Sequence, residues 1–412
     1  MKPSLVFMSP AIPGFTGNGL AMRAGHNLRA LSHDFSIHLL VISIYDEKSN
    51  IPSDEILQYC ASYKQINAHR ISKRKFLKSF INWVLWSRTQ LPDEWTRWNP
   101  KIEKEISAYL KELKCRRIWA FRFYLLPWLR TRINKGFKVW LDLDELESAA
   151  RERLAKLHLK LGCPEISREI QIEAEMYRDL ETIFLPRFER IITASNLETD
   201  HLQKNLPNVL IETWPNIIFP PALKIPPKQN NLADCRLLFI GNMEHFPNRD
   251  AIRFAVQEVL PQVQRLAPHR QVILQVIGSG AEAFRRDFAD LSQIEWLGAV
   301  KDLALFYAKA DIVIVPLRTG GGTRIKILEA LAYQKAVVST QIGAEGLGIL
   351  HDRELLLADE PADMAAACAE LLVNNEKQTR LAKAGYAYVT THHSESILKL
   401  KASALVKAAY AH

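Results

Sequence analysis

A basic, glycine-rich turn with a carboxylate one helical turn beyond it is the stretch of this chain best suited to chemistry. Arg324 and Lys326 come directly after this turn, and Glu329 follows them. The two cations match a phosphate or pyrophosphate in charge and reach. A carboxylate does not help to bind phosphate, but it can accept hydrogen bonds from a pair of sugar hydroxyls. The spacing therefore indicates a nucleotide or a nucleotide sugar as the ligand.

The elements needed to position these side chains can be read around them. Residues 312–315 form an apolar β-branched run typical of a strand buried on both faces, and Pro316 ends it. A segment with helical apolar spacing begins at Ile325. Between them lies a loop that ends in Gly320, Gly321, Gly322 and Thr323. Because glycine has no Cβ and the N–H groups of a helix start are free, this loop is suited to hold an anion.

Simpler interpretations of the stretch stay open. A glycine turn between a strand and a helix is often only a tight connection. Lys326 and Glu329, which are three residues apart, are also compatible with an exposed ion pair worth roughly a few tenths of a kcal/mol. The phosphate hypothesis is favoured by the combination of glycines, cations and carboxylate rather than by any one of them.

The bulk composition is that of a globular chain large enough for two domains. It has 412 residues, of which 48% are hydrophobic and 24% charged, and a formal net charge of +9. The positive excess suits a phosphorylated ligand, an anionic membrane or a nucleic acid without choosing among them. The five cysteines are scattered and form no C-x-x-C pair, so neither a disulfide framework nor a zinc site is indicated. No stretch approaches the roughly 18 apolar residues of a membrane span, and we expect a cytoplasmic protein. A peripheral position at the inner face of the cell membrane stays open.

A second strand, glycine loop and helix open the chain. Residues 5–9 are apolar, Gly14, Gly17 and Gly19 punctuate the next stretch, and helical spacing runs over residues 20–31. This order is the opening unit of a Rossmann-like half, although the spacing is not G-x-G-x-x-G. A tight β–α turn is the alternative.

Asp142 and Asp144 form a D-x-D at the end of a predicted strand. Such a pair can hold a divalent metal, but the short pattern is weak by itself. Carboxylates at the C-terminal edge of a parallel sheet lie where α/β proteins bind ligands, so a role on the substrate side without metal is equally open. Simple capping of a helix that begins near Leu146 is the third interpretation.

The stretch from Pro316 to Leu347, PLRTGGGTRIKILEALAYQKAVVSTQIGAEGL, resembles the donor-binding segment of family-four glycosyltransferases, especially the bacterial branch that makes surface polysaccharides. The resemblance implies an α/β, GT-B fold, in which two Rossmann-like domains face each other across a cleft. It also implies a hexosyltransferase-like enzyme that moves a sugar from a nucleoside-diphosphate sugar to a hydroxyl of a glycan, lipid-linked or small-molecule acceptor. Retention of configuration follows from the same resemblance. Because Arg324, Lys326 and the glycine loop would take up the charge of the leaving diphosphate, we expect transfer without a metal or cofactor.

The family pattern assigns candidate residues. It implies catalytic roles for Arg324, Lys326 and Asp144. It implies donor binding by Gly17, Gly19, Gly241, Gly278, Val300, Gly320, Gly321, Gly322, Thr323 and Glu329. Two departures stand out, since the first of two usual glutamates falls on Gly321 and the usual arginine and lysine after the strand near Gly241 are absent. Arg324 and Lys326 would have to replace the missing pair.

The predicted domains follow from these elements. Residues 1–216 would form an acceptor-side Rossmann-like domain, and the proline-rich residues 217–233 a linker. Residues 234–390 would form the nucleotide-sugar-binding Rossmann-like domain. The resemblance implies that a last helix, 391–412, packs back on the N-terminal domain.

Residues Arg70 to Arg88 mix basic and aromatic side chains, which is typical of an interfacial helix on anionic lipid. A solvated face over a core stripe explains the pattern as well. Because no recognisable nucleic-acid module accompanies it, we expect no nucleic-acid partner.

Two other functions remain open at this point. A nucleotide-sugar epimerase or hydrolase on the same fold would alter or release its sugar with no acceptor present. A non-catalytic glycosyltransferase-like partner subunit is the other, and Gly321 at the usual glutamate position is the feature that suggests it.

Overall fold

The computed structural model describes residues 2–44, 51–68, 92, 95, 97–219, 234–288, 292–322 and 324–410. The chain divides into two compact units, one of Met1–Pro215 with Glu395–His412 and the other of Asn216–Ser394. Most of the predicted linker, residues 220–233, lies outside the described residues, and so does the basic aromatic segment 70–88.

The first unit is built on a parallel sheet. Its strands are β1 (Ser4–Ser9), β2 (Ser36–Ser43), β3 (Cys60–Asn67), β4 (Arg117–Phe121), β5 (Lys138–Asp144), β6 (Arg190–Thr193) and β7 (Leu210–Thr213). Its helices up to residue 215 are α1 (Gly19–Ser32), α2 (Asp54–Leu57), α3 (Pro100–Glu112), α4 (Leu126–Asn134), α5 (Glu147–Lys160), α6 (Pro164–Phe184) and α7 (Asn196–Asn205). The strand order is β3-β2-β1-β4-β5-β6-β7, and every pairing is parallel.

Continuous apolar strands explain why this sheet is buried on both faces. In β1, Leu5, Phe7 and Met8 are all 0% exposed. Phe7 stacks on Trp119 of the neighbouring β4, with 6.3 Å between the ring centroids. Parallel strands covered by helices on both sides need such unbroken apolar runs. The strand order reverses between β1 and β4, and open α/β sheets bind ligands outside the carboxyl ends of the strands at such a point.

The second unit has a six-stranded parallel sheet. Its strands are β8 (Asp234–Ile240), β9 (Gln271–Ile277), β10 (Ile294–Gly298), β11 (Ile312–Val315), β12 (Ala336–Ser339) and β13 (Leu356–Leu357). Its helices are α8 (Phe246–Phe254), α9 (Leu260–Leu266), α10 (Ala281–Phe284), α11 (Ala304–Lys309), α12 (Ile325–Ala332), α13 (Gln341–Ala344), α14 (Pro361–Val373) and α15 (Asn375–His392). The order β10-β9-β8-β11-β12-β13 places the reversal between β8 and β11. The predicted α/β class is therefore confirmed.

The last helix, α16 (Glu395–Tyr410), belongs to the first unit and packs on α1. Arg29 and Glu395 form an ion pair with 2.9 Å between Nε and Oε1. The Ser403 hydroxyl donates to the Asp34 carboxylate over 3.0 Å. Both polar contacts join α16 to the C-terminal end of α1, one at Arg29 and the other just beyond the helix at Asp34.

Two helices of the second unit meet at Asn374. Helix α14 ends at Val373 and α15 begins at Asn375. Asn374 leaves the helical conformation with φ −102° and ψ 83°, and its side-chain oxygen accepts a hydrogen bond from the Lys377 N–H at 2.9 Å. The asparagine that caps the second helix therefore also ends the first.

Within the part of the chain that the structure describes, no helix is both long and apolar enough to cross a membrane.

Candidate functional site in the second unit

The predicted basic turn lies at the point where the strand order of the second unit reverses. Gly241 follows β8 and Pro316 follows β11, and these two strands are neighbours in the sheet. Lys326, near the start of α12, reaches across to Asn248 on α8, with 2.7 Å between Nζ and Oδ1. Its Nζ also lies 4.6 Å from the centroid of the Phe239 ring on β8. The ammonium group is therefore held between the carboxyl ends of both strands.

Helix α12 presents these groups because its other face is apolar. Ile327, Leu328 and Leu331 are each 0% exposed and anchor the helix on the sheet. Lys326 and Glu329 lie off that face and are only partly buried. The helical spacing that buries the three apolar side chains thus fixes where the two charged ones point.

Arg324 does not project freely from the turn. It occupies the N-cap position of α12 and is 9% exposed. Its Nη1 donates to the carbonyl oxygen of Gly321, and its Nε donates to that of Ile342 over 3.4 Å. The guanidinium group therefore holds the glycine loop in place by hydrogen bonding to its backbone. Its positive charge still acts on the site.

Lys326 is electrostatically prepared for an anion. Burial, and to a lesser extent the positive charge of Arg324, together lower the pKa of Lys326 to about 7. Near neutral pH a fraction of these side chains is therefore uncharged. A diphosphate that entered the site would favour the ammonium form, because an opposite charge nearby stabilises it.

Glu329 takes a partner other than Lys326. Its Oε2 accepts a hydrogen bond from the Tyr307 hydroxyl at 3.0 Å. Tyr307 is fully buried and stacks on Tyr333, with 4.2 Å between the ring centroids. Burial raises the pKa of Glu329, while the Tyr307 hydrogen bond opposes that shift. The two residues are thus held separately by Asn248 and Tyr307, which does not fit the simple ion pair considered above.

The loops after β8 and β9 pack against each other through glycine. A Cβ added to Gly278, whose φ is +145°, would lie 1.9 Å from the carbonyl oxygen of Gly241. A Cβ added to Gly241 would lie 2.8 Å from Cγ of Asn248. Both positions therefore need glycine for close packing of the protein itself. Val300 follows β10 and is partly buried, and donor contact by Val300 and the two glycines stays a prediction.

The glycine loop is fixed at its first residues. Arg318 makes two hydrogen bonds to the buried Asp250 carboxylate, at 3.0 and 2.6 Å. The Leu317 carbonyl oxygen accepts a hydrogen bond from the Thr340 hydroxyl. Thr319 is 0% exposed, and its hydroxyl has no hydrogen-bond partner within the described ranges. Of the predicted turn, Gly320, Gly321 and Gly322 are among the described residues, and Thr323 lies outside them.

In the first unit, Asp142 of the D-x-D is buried in a polar network. Its Oδ1 accepts hydrogen bonds from Arg23 at 2.9 and 2.7 Å, and its Oδ2 accepts one from Asn27 at 2.6 Å. Arg23 also donates to the Trp214 carbonyl oxygen at 2.8 Å. Asp142 is 0% exposed, so it stabilises the edge of this sheet rather than facing solvent.

Asp144 lies nearer the surface and is paired with Arg122. The Arg122 guanidinium donates to Asp144 at 2.6 Å and to Glu145 and Glu147, both at 2.8 Å. The N-cap position of α5 is Leu146, and no side chain caps it. The capping interpretation of the D-x-D is therefore wrong, because guanidinium groups occupy these carboxylates instead. A catalytic role for Asp144 stays a prediction.

Gly17 and Gly19 lie at the start of α1 in the first unit. Gly17 is exposed and has φ +102°, and Gly19 is the first helical residue. Asn18 caps the helix, since its Oδ1 accepts a hydrogen bond from the Ala21 N–H at 2.8 Å. Residues 10–18 separate β1 from α1, so the connection is not a tight β–α turn, and phosphate contact by these glycines stays a prediction.

Sequence reasoning missed several residues that organise both sites. Asn248 and Tyr307 hold Lys326 and Glu329, and Arg23 and Arg122 hold the two aspartates. Arg23 lies on the face of α1 that also buries Leu28 and Leu31. A charged residue at an otherwise buried helical position was the available signal for Arg23.

Comparison with known families finds one match in the second unit. The model of the family described as "Glycosyl transferases group 1" matches residues 234–374. Among curated proteins, an uncharacterised 44.6 kDa protein in the cps region of Klebsiella pneumoniae is 27% identical over 138 residues. That match covers 32% of this chain and 35% of the relative, so this chain spans only about a third of that protein's length.

Solved structures similar to this chain extend over nearly its whole length. Sucrose-phosphate synthase from Thermosynechococcus elongatus has a TM-score of 0.70 at 15% identity and covers 99% of both chains. An α,α-trehalose-phosphate synthase (UDP-forming) from Burkholderia vietnamiensis has a TM-score of 0.64 at 15% identity, covering 98% of this chain and 100% of its own. The Escherichia coli trehalose-6-phosphate protein bound with UDP-2-fluoroglucose has a TM-score of 0.65 at 15% identity and covers 98% of each. At these identities the likeness establishes the fold, and the predicted GT-B architecture is confirmed.

Proposed function

We propose that this chain, whose residues 234–374 match the model of the glycosyl transferases group 1, moves a sugar from a nucleoside-diphosphate sugar to an acceptor hydroxyl. The second unit binds the donor, and the first unit binds a glycan, lipid-linked or small-molecule acceptor. The family-four resemblance supports retention of configuration, and the positive charges of Arg324 and Lys326 support transfer without a metal or cofactor. The similarity to a protein of a cps region supports a place in bacterial polysaccharide synthesis.

One observation carries the proposal. At the reversal point of the second unit, a lysine whose pKa is lowered to about 7 meets a glycine loop and a helix start. These groups together offer backbone N–H donors and one positive charge, which Lys326 carries when it is protonated. As the bond to the sugar breaks, negative charge develops on the leaving diphosphate. Groups held in place beforehand stabilise that charge more strongly than water does.

The remaining roles follow from this placement. Arg324 holds the loop and adds positive potential, and Lys326 contacts the diphosphate. Glu329 accepts hydrogen bonds from the ribose of the donor, in exchange for or in addition to that of Tyr307. Asp144, held by Arg122, lies at the carboxyl end of β5, one strand from the reversal point of the first unit, and orients the acceptor hydroxyl. Similar structures bound to a UDP sugar make UDP the first nucleotide to test.

The test begins with donor binding. Thermal unfolding of the purified chain is measured with UDP, GDP, dTDP and ADP sugars, since a ligand that binds only the native state raises its melting temperature. Lys326→Ala should weaken the binding of the effective donor about 10- to 100-fold, because a charge-assisted contact is lost. Lys383→Ala, at an exposed lysine on α15, is the matched control and should bind like the wild type.

Turnover separates the proposal from its rivals. The effective donor is incubated with and without an acceptor panel, and the products are identified by mass spectrometry. Transfer only in the presence of an acceptor supports the proposal. Sugar release or epimerisation with no acceptor assigns the chain to a hydrolase or epimerase instead. Donor binding without turnover over the whole panel points to a non-catalytic subunit, and no binding of any nucleotide sugar removes the assignment.

A further inference from the structure

We propose that Asn248 is a positioning residue that fixes the Lys326 amino group at the anion site and sets when it carries a charge. The inference rests on the proposed function only for the identity of the anion, the donor diphosphate. The hydrogen bond between the two side chains is a property of the second unit itself.

The contact joins two segments that are far apart in sequence. Lys326 Nζ donates to Asn248 Oδ1 over 2.7 Å, and 78 residues separate the two positions. The Asn248 side chain is itself fixed, because its Nδ2 donates to the Asn242 carbonyl oxygen at 2.7 Å. With one end bound to the backbone, the carboxamide has its oxygen turned to Lys326. The loop after β8 therefore determines, through the Asn248 side chain, where the Lys326 amino group lies.

Gly241 makes this position of Asn248 possible. A Cβ at Gly241 would lie 2.8 Å from Cγ and 2.9 Å from Oδ1 of Asn248, closer than real Cβ atoms approach. The carboxamide thus occupies the space that any larger residue at 241 would fill. This explains one glycine that sequence reasoning assigned to the donor.

The chemistry of an amide suits this position better than that of a carboxylate. A carboxylate beside Lys326 would neutralise it and compete with the incoming diphosphate. An amide oxygen fixes the direction of the amino group and leaves its charge available.

The charged groups around Lys326 are few among the described residues. On its own segment, Arg324 lowers its pKa and Glu329 is engaged by Tyr307. From β8 the neutral Phe239 ring faces it. On α8 and at its N-cap, Asn248 is flanked by His245, Arg249 and Asp250, and the last of these is paired with Arg318.

The test titrates Lys326 without relying on enzyme activity. The protein is labelled with trace acetic anhydride from pH 5 to 10, and acetylation of Lys326 is quantified by mass spectrometry, with the exposed Lys156 as internal control. Loss of the Asn248 acceptor in N248A should lower the pH of the Lys326 inflection by about one unit. A carboxylate in the isosteric N248D should raise it by about one unit or more. H245N identifies any contribution of the neighbouring imidazole and should keep the wild-type inflection.

Opposite shifts in N248A and N248D support the proposal, since a purely structural role would not change sign between them. Equal inflections in the wild type and both variants overturn it, and N248D keeps this outcome accessible should N248A fail to fold.

A separate experiment measures the enzyme kinetics with the donor. With an effective nucleotide sugar, N248A should raise KM for the donor about tenfold and move the alkaline limb of the rate profile to lower pH. Opposite labelling shifts without any effect of nucleotide sugars would retain the positioning role and refute the glycosyltransferase assignment.

Discussion

The buried pair of Arg23 and Asp142 provides the sharpest quantitative expectation. Asp142 is 0% exposed and Arg23 2%, and three hydrogen bonds converge on the carboxylate. In D142N the negative charge of the side chain is lost, while its shape and one hydrogen-bond acceptor are kept. Arg23 then remains buried with the Trp214 carbonyl oxygen at 2.8 Å and Asp144 at 3.6 Å.

The magnitude follows from what the guanidinium loses. Breaking a fully buried pair by removing one partner costs about 3 to 5 kcal/mol. The remaining contacts with Asp144 and Trp214 reduce this, and we expect D142N to lower the free energy of unfolding by about 2 to 3 kcal/mol. The double variant R23M/D142N leaves no unpaired guanidinium and keeps an acceptor for Asn27. It should therefore be more stable than D142N alone.

Urea unfolding followed by tryptophan fluorescence is the assay. Eight of the nine tryptophans lie before residue 216, and only Trp296 lies in the second unit, so the signal reports the first unit. The m-value must stay unchanged for the midpoint shift to be converted into free energy. Asp200→Asn, at an exposed position on α7, is the control and should stay within about 0.5 kcal/mol of the wild type.

Two results would refute this reasoning. One is a D142N variant that unfolds within the range of the surface control. The other is a double variant that is no more stable than D142N. The loss of stability in D142N would then not come from an unpaired, buried Arg23 guanidinium.

Three further outcomes are expected. Burial raises the pKa of Glu181 to about 7, above its unfolded value of 4.5. Between these two pH values the folded state therefore binds more protons than the unfolded state. The free energy of unfolding should fall by up to about 3 kcal/mol as pH rises from 4.5 to 7. E181Q should flatten that slope in denaturation curves measured across pH, and an unchanged slope would show that Glu181 is not its source. Gly278→Ala should lower the melting temperature of the second unit by several degrees, because its Cβ would lie 1.9 Å from the Gly241 carbonyl oxygen; calorimetry that found no shift would show that this contact relaxes freely. Glu329→Gln should raise KM for the donor about tenfold with kcat less affected, since a ribose contact is present before and during transfer; equal loss in kcat and kcat/KM would contradict that role.

Local features of the chain were readable from the sequence. The apolar runs at 312–315 and 139–143 are strands, because a segment buried on both faces can carry few polar side chains. Ser195 caps α7, as a serine before a helical segment predicts, and its hydroxyl accepts a hydrogen bond from the Glu198 N–H at 3.2 Å. The basic glycine turn was also recognisable, because all its residues lie within one short stretch of chain.

The partners of those residues were not readable. Lys326 and Asn248 are 78 positions apart, and Arg23 and Asp142 are 119 apart. Nothing local in either stretch indicates its partner, and α12 would form with or without Asn248 opposite it. Arg324 shows the same limit, because its basic side chain was expected to project from the turn and instead folds beneath the loop.

The sequence by itself determined which segments become strands and helices and where an anion could be held, because backbone propensity and apolar periodicity act over a few residues. Only the tertiary structure decided which charged groups stay available to a ligand and which are consumed by the protein. That choice depends on strand order, which places β8 beside β11 and β4 beside β5, and so brings together side chains whose interaction energy no local pattern encodes.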